Sequence, residues 1–264
     1  AADLLHVAGE EEAAADAACW ARSLRADLEA SMSLVAHRLG LGRPVIPAGP
    51  RRRVDPAMIG SLVAAWPLGL LDADDPAVTA TADVLRERFC LGPAFFQAIS
   101  HTGLGTYLTL QLAFVELACG DDRALARLEW MLQAATATFT WPEAIHPLLG
   151  GGCMGDGHHG WAAADFLSLV RCLLVREVEG GLAFCSMLPA SWEGHDLAIE
   201  RAPTHYGLVS FSLRWQEDHA SLTWELEPHD DGTKAVMTAP GLDPTWRSYD
   251  RSGELVVARP NHSR

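Results

Sequence analysis

Basic residues are scarce in this chain: 20 lysines and arginines face 34 aspartates and glutamates, a formal net charge of -14 at pH 7. Nucleic acid and anionic membrane surfaces both select basic patches, so neither is an expected partner. The six cysteines (Cys19, Cys90, Cys119, Cys153, Cys172 and Cys185) show no CxxC spacing. Most lie inside apolar patterns, which favours buried free thiols over disulfides. No uninterrupted apolar run approaches the ~20 residues that span a bilayer. No signal-peptide pattern precedes the first helical one, so a cytoplasmic location is the expectation. The chain opens on Ala1-Ala2-Asp3 rather than Met, so a natural start further upstream is expected.

What is present suits a folded domain with a neutral ligand. The 264 residues are 49% hydrophobic, enough for one large domain or a medium and a small one. Up to about Glu177 the apolar positions recur with helical period. A long amphipathic helix fits Glu10 to Leu39, with Trp20, Leu24, Leu28, Met32 and Val35 on one stripe. Asp55-Pro56 and Asp75-Pro76 each pair a capping residue with proline at the first helical position, opening helices to about Trp66 and Phe89. Cys90 to Gly105 reads as irregular. Further helices fit Thr106 to Cys119, Asp122 to Thr138 and roughly His159 to Arg176. The first, third and fifth carry charge on one face, whereas the second, fourth and sixth are apolar nearly all round. That alternation predicts an α/α toroid of three helical hairpins, inner helices sheathed by outer ones.

After Val178 the period changes to two. Segments such as Leu208–Trp215, Ala220–Leu226 and Glu254–Val257 read as strands between turn residues, giving a small antiparallel β-sandwich. The expected fold is therefore α+β and mainly α, with a helical domain over residues 1–178 and a sandwich over 179–264. Trp215 and Trp224 read as sandwich packing rather than sugar platforms.

The connections carry the chemistry. Links from inner to outer helix are short, but those from outer to inner are long: residues 41–55 with Arg51, Arg52, Arg53 and Asp55, residues 90–105 with Gln97, His101 and Thr102, and residues 139–158. In an up-down array all three long loops meet at one rim, where inner-helix N-termini favour anions. The third is the richest. From Thr140 to Trp161 it holds Glu143 and Asp156, His146, His158 and His159, and Trp141 and Trp161. Titratable groups beside indole rings are what a sugar-processing site requires.

The run Thr140-Trp141-Pro142-Glu143, the pair His158-His159 ahead of an apolar helix, and the sandwich that follows resemble the six-hairpin (α/α)6 glycosidases. The bacterial α-L-rhamnosidase-like members are the nearest in pattern. The resemblance implies that Glu143 is the carboxylate that activates water. The family's Thr-x-Trp-Glu-like segment is matched here with Pro142 inserted. Its Ser-x-Asn-His segment is matched by His158 or His159 without the Asn. That family's toroid has six hairpins, so the resemblance also implies a missing N-terminal half or a second subunit completing the ring.

Inverting hydrolysis pairs an acid with a base across the bond. Glu143 is the candidate base, and Asp156 and Asp55 are the other catalytic candidates, although both also read as helix caps. Trp141, His146, His158, His159, Trp161, His101, Gln97 and Arg53 are the candidate sugar-binding residues. The expected partner is a carbohydrate, with no cofactor and no metal. Three rival readings remain: a glycoside phosphorylase, a non-catalytic carbohydrate-binding or interaction protein, and a metal site formed by His146, Asp156, His158 and His159. No HxH or HExxH spacing supports the last of these.

Overall fold

The two Asp-Pro pairs start helices where the sequence places them. Asp55 Oδ1 accepts from Ala57 N at 3.0 Å, and Asp75 Oδ1 accepts from Ala77 N at 2.7 Å. The computed structural model describes residues 1–99, 102–155, 157–230 and 232–259 of an α+β chain. Its helices are α1 (Ala2–Val7), α2 (Glu11–Leu39), a 3-10 helix (Pro56–Ala64), α3 (Pro76–Phe89), α4 (Thr106–Ala118), α5 (Arg123–Ala134) and α6 (Gly160–Leu174), and a short 3-10 turn (Ala190–Trp192) lies within the tail. Among the described residues none is long and apolar enough to cross a membrane.

α4 is the hub. Its buried residues include Leu108, Leu110, Leu112, Ala113, Phe114, Val115 and Leu117, and it packs on the 3-10 helix, α5 and α6. One core joins the 3-10 helix (Met58, Ile59, Leu62) to α3 (Val84, Leu85) and to Leu112 and Val115 of α4. A second joins the other side of α4 to Leu128 and Met131 of α5 and to Leu169 and Leu173 of α6. Between the two lies a buried ion pair. Glu116, 1% exposed, accepts from Arg127 Nε at 2.5 Å and Nη2 at 2.8 Å. Arg127 Nη1 donates to the Pro93 carbonyl. Arg86 of α3 adds a longer contact to Glu116 at 3.3 Å and pairs with Asp83.

The apolar stripe read on the first helix is not a core stripe. Trp20 is 77% and Leu24 61% exposed, and of the five residues only Val35 is buried. α2 is held through its later turns: Arg25 Nη1 donates to Leu70 O at 2.8 Å, and Met32 and Val35 face Ile46, Pro47 and Leu71. The early part of the stripe, Trp20 and Leu24, has no packed layer against it among the described residues, whereas Leu28, Met32 and Val35 line one groove with Ile46, Pro47 and Leu71.

Much of the second loop is not irregular either. It joins the third loop in a five-stranded meander of β1 (Cys90–Leu91), β2 (Ala94–Ala98), β3 (Thr102–Gly105), β4 (Ala144–Ile145) and β5 (Gly152–Met154). The register sets Leu104 opposite Ile145 and Gly105 opposite Ala144. Gly103 is needed here, because a Cβ would lie 2.6 Å from Cys153 Sγ and 3.0 Å from the Ala144 Cβ. The second and third long loops are thus hydrogen-bonded to one another.

The tail forms two four-stranded sheets. One is β13-β10-β9-β8, from Ser252–Ala258, His219–Pro228, Gly207–Trp215 and Leu197–Thr204. The other is β12-β11-β7-β6, from Asp243–Ser248, Val236–Ala239, Gly181–Phe184 and Val175–Val178. Their pairings are antiparallel except β11 with β7. Phe184, Val209, Phe211, Leu213, Leu222, Trp224 and Met237 share one core between the sheets. The first sandwich strand begins at Val175, ahead of the expected boundary at 178, and follows α6 without a linker. All six cysteines are free, but only Cys172 and Cys185 are buried and Cys90 is partly so.

Removing one member of the buried pair leaves a charge without its partner. Glu116→Ala is expected to lose about 3–5 kcal/mol of stability. The double change Glu116→Leu with Arg127→Met is expected to lose less than that single change. Urea unfolding midpoints of the three proteins give the comparison.

Candidate active site

The Trp-Pro-Glu turn is anchored by its tryptophan. Trp141 is 2% exposed, its Nε1 donates to Met131 O at 2.8 Å, and its ring packs against Phe139 and Phe166. This corrects its expected role, because a buried indole with its N–H already satisfied does not face a sugar. It fixes the chain so that Glu143 emerges immediately before β4. The Glu143 carbonyl accepts from Thr106 N and Thr106 Oγ1, both at 3.1 Å, and Thr106 Oγ1 also donates to Pro142 O at 2.8 Å. Gly155, at φ +77°, lets the chain pass over this point, since a Cβ there would lie 3.1 Å from Glu143 N.

His159 meets Glu143 from the other side. Its backbone N donates to Trp141 O at 2.9 Å, and it caps α6, with Nδ1 accepting from Ala162 N at 3.4 Å. That acceptor role leaves the proton of the neutral ring on Nε2, the atom that lies 3.9 Å from Glu143 Oε2. Tyr107 and Trp161 complete a ring cluster, with centroids 5.1 Å from Tyr107 to His159 and 5.5 Å from Tyr107 to Trp161. Trp161 is 66% exposed, so its ring is open to a ligand.

A second carboxyl belongs to the same place. Asp165 Oδ2 accepts from Gln111 Nε2 at 2.9 Å. Burial raises its pKa above the usual aspartate value, opposed by that hydrogen bond and by His159. The Tyr107 phenol is raised too, first by burial and then by the charges of Glu143 and Asp165. Tyr107 and Gln111 are four residues apart on α4, and Trp161 and Asp165 four apart on α6. Each pair therefore shares a helix face. Tyr107, Gln111 and Asp165 were hidden in helices read as apolar throughout, and this i,i+4 spacing of polar and aromatic residues was the available signal.

The remaining expected residues scatter. His146 Nδ1 accepts from Leu148 N and Leu149 N, both at 3.2 Å, closing its own turn. His158 is exposed beside the capping histidine. Gln97 is buried on β2, with its side chain against Gly105. Asp55 caps the 3-10 helix and pairs with Arg52 at 2.7 Å, so both its oxygens are engaged, and Arg53 is exposed. His101 and Asp156 lie outside the described residues. Among the described residues no group of three or more His, Cys, Asp or Glu is placed to hold a metal ion.

No protein-family model matches the chain, and no curated protein matches it. Among solved structures it is similar to a glycosidase variant in complex with glucose, with 19% identity and a TM-score of 0.46, covering 63% of this chain and 45% of that one. It is also similar to a wild-type glycosidase, with 19% identity, a TM-score of 0.45 and the same coverage. The chain spans less than half the length of those proteins.

Asp165 gives the site a pH signature. Its folded-state pKa is raised, so the folded protein holds that proton more tightly than the unfolded chain does. Stability from this source is present below the unfolded value of about 3.9 and is lost as pH rises through the folded value. Asp165→Asn removes the dependence while keeping an acceptor for Gln111. The Tm of wild type minus that of the variant is expected to fall as pH rises across this window, and calorimetry at stepped pH checks it.

Proposed function

We propose that the chain carries part of a glycoside hydrolase site in which Glu143 is the carboxylate that activates water. The observation that carries this reading is the placement of Glu143. A carboxylate held by its own backbone stands beside the Nε2 of a capping histidine and an exposed indole. Glycoside hydrolysis uses two carboxyl groups with unequal hold on a proton. Asp165, whose burial strengthens its hold, is suited to give a proton to the leaving oxygen. It joins Asp156 as candidate acid, and Asp55 is set aside because its oxygens are already engaged. Trp161 and Tyr107 offer faces on which a sugar ring stacks.

The helices are proposed to form part of an (α/α)6 toroid. The exposed Trp20 and Leu24 on α2 support a further segment or a second subunit completing the ring. An inverting outcome is proposed by resemblance to the rhamnosidase-like group. Among the described residues no contact favours phosphate over water as acceptor.

Glu143→Gln is expected to lower hydrolysis of aryl glycosides at least ~10³-fold while leaving Tm within about 2 °C of wild type, a change worth less than ~1 kcal/mol. Hydrolysis undiminished in the variant removes Glu143 from the role. Turnover that requires inorganic phosphate assigns a phosphorylase instead, and sugar binding without turnover in the wild type assigns a binding protein.

A further inference from the structure

At the opposite end of α4 and α6 from Glu143, where the helices meet the sandwich, there is a cavity of about 780 Å³. From Tyr107 to Cys119 the helix rise of 1.5 Å per residue makes this about 18 Å from the candidate active site. Arg176 of β6 lies on its wall, with Trp66 and Tyr206 beside it and the exposed Asp72, Asp74 and Glu179 at the rim.

Arg176 is mostly buried, and its one hydrogen bond among the described residues is from Nε to Ser186 Oγ at 3.4 Å. No carboxylate pairs with it there. The adjacent Glu177 is turned to His205 N at 3.0 Å. The nearby thiols supply no charge either: burial holds Cys172 up at about 11 and raises Cys119. Burial without an anion also pulls the Arg176 pKa below its usual value. A buried guanidinium without a counter-charge is costly, and a carboxylate is among the strongest hydrogen-bond partners it can take.

We infer that this cavity binds a small polyhydroxylated monocarboxylate of the sugar-acid class, its carboxylate on Arg176 and its hydroxyls on the rim carboxylates. The rim selects the class. Asp72, Asp74, Glu177 and Glu179 line the same cavity and accept hydrogen bonds from hydroxyls, while their charge opposes every added negative charge, so that a dianion such as phosphate is disfavoured more than a monocarboxylate matched by Arg176. A neutral sugar leaves Arg176 unmatched. Trp66, stacked on Phe114 with centroids 4.9 Å apart, and Tyr206 supply the apolar wall. The site is independent of the Glu143 chemistry, and its test does not require turnover.

Isothermal titration of the full chain with D-gluconate, D-glucose and inorganic phosphate tests it. D-gluconate is expected to bind, with glucose and phosphate weaker. Arg176→Gln is expected to weaken gluconate about 10- to 100-fold, and Glu143→Gln to leave it unchanged. Because the charge is uncompensated, the ligand-free Arg176→Gln protein is expected to be no less stable than wild type. A second variant at the exposed rim, Asp74→Asn with Glu179→Gln, is expected to weaken gluconate without altering Tm. Absence of gluconate binding, equal binding by Arg176→Gln or by the rim variant, or tighter binding of phosphate overturns the inference.

Discussion

The ion pair of Glu116 with Arg127 is the constraint around which the helical part is arranged. Both side chains are almost fully buried, so each needs the other. Taking either charge from water is unfavourable by several kcal/mol, and only close geometry recovers it. The pair ties α4 to α5, and the remaining guanidinium nitrogen ties both to the β1–β2 connection through Pro93. Arg86 brings α3 to the same carboxylate. A set of apolar helices with interchangeable leucines admits several registers. A buried two-point contact of this kind admits one.

From that fixed α4 the candidate site follows. Thr106 opens the helix, and its N–H and hydroxyl hold the backbone on which Glu143 stands. Tyr107 and Gln111 sit along the next turns, facing Trp161 and Asp165 of α6. The meander then binds the second and third loops into one sheet. Glu143 therefore belongs less to a loop than to the junction of a sheet and two helix starts. Its backbone is thereby fixed by two hydrogen bonds from Thr106 and by the β4 pairing.

Much of the frame was legible because its signals were local. Asp75-Pro76 named the start of α3, and the switch from helical to alternating period located the sandwich. The meander was not legible: its strands run from two to five residues, and glycines that permit close approach at Gly103 and Gly105 look like turn residues in a sequence. The sequence singled out Glu143 and His159, which the fold brings within 3.9 Å of each other, and it misread the exposure of Trp141. A tryptophan beside a glutamate suits a sugar platform, but whether its N–H faces solvent or Met131 is a tertiary fact. Asp165 escaped notice for the opposite reason. One acid in an apolar helix passes as incidental until the facing helix presents Gln111.

The direct passage of α6 into β6 has a mechanical meaning. Leu173 and Leu174 carbonyls also accept from Ser186 and Cys185, so the far end of the helix is clamped to the sandwich by two strands rather than by a hinge. His159 and Trp161 occupy the near end of the same fifteen-residue rod. The imidazole and the indole are therefore joined to the sheets by one continuous helix with no loop between, and a shift of β6 is carried along that helix to both rings.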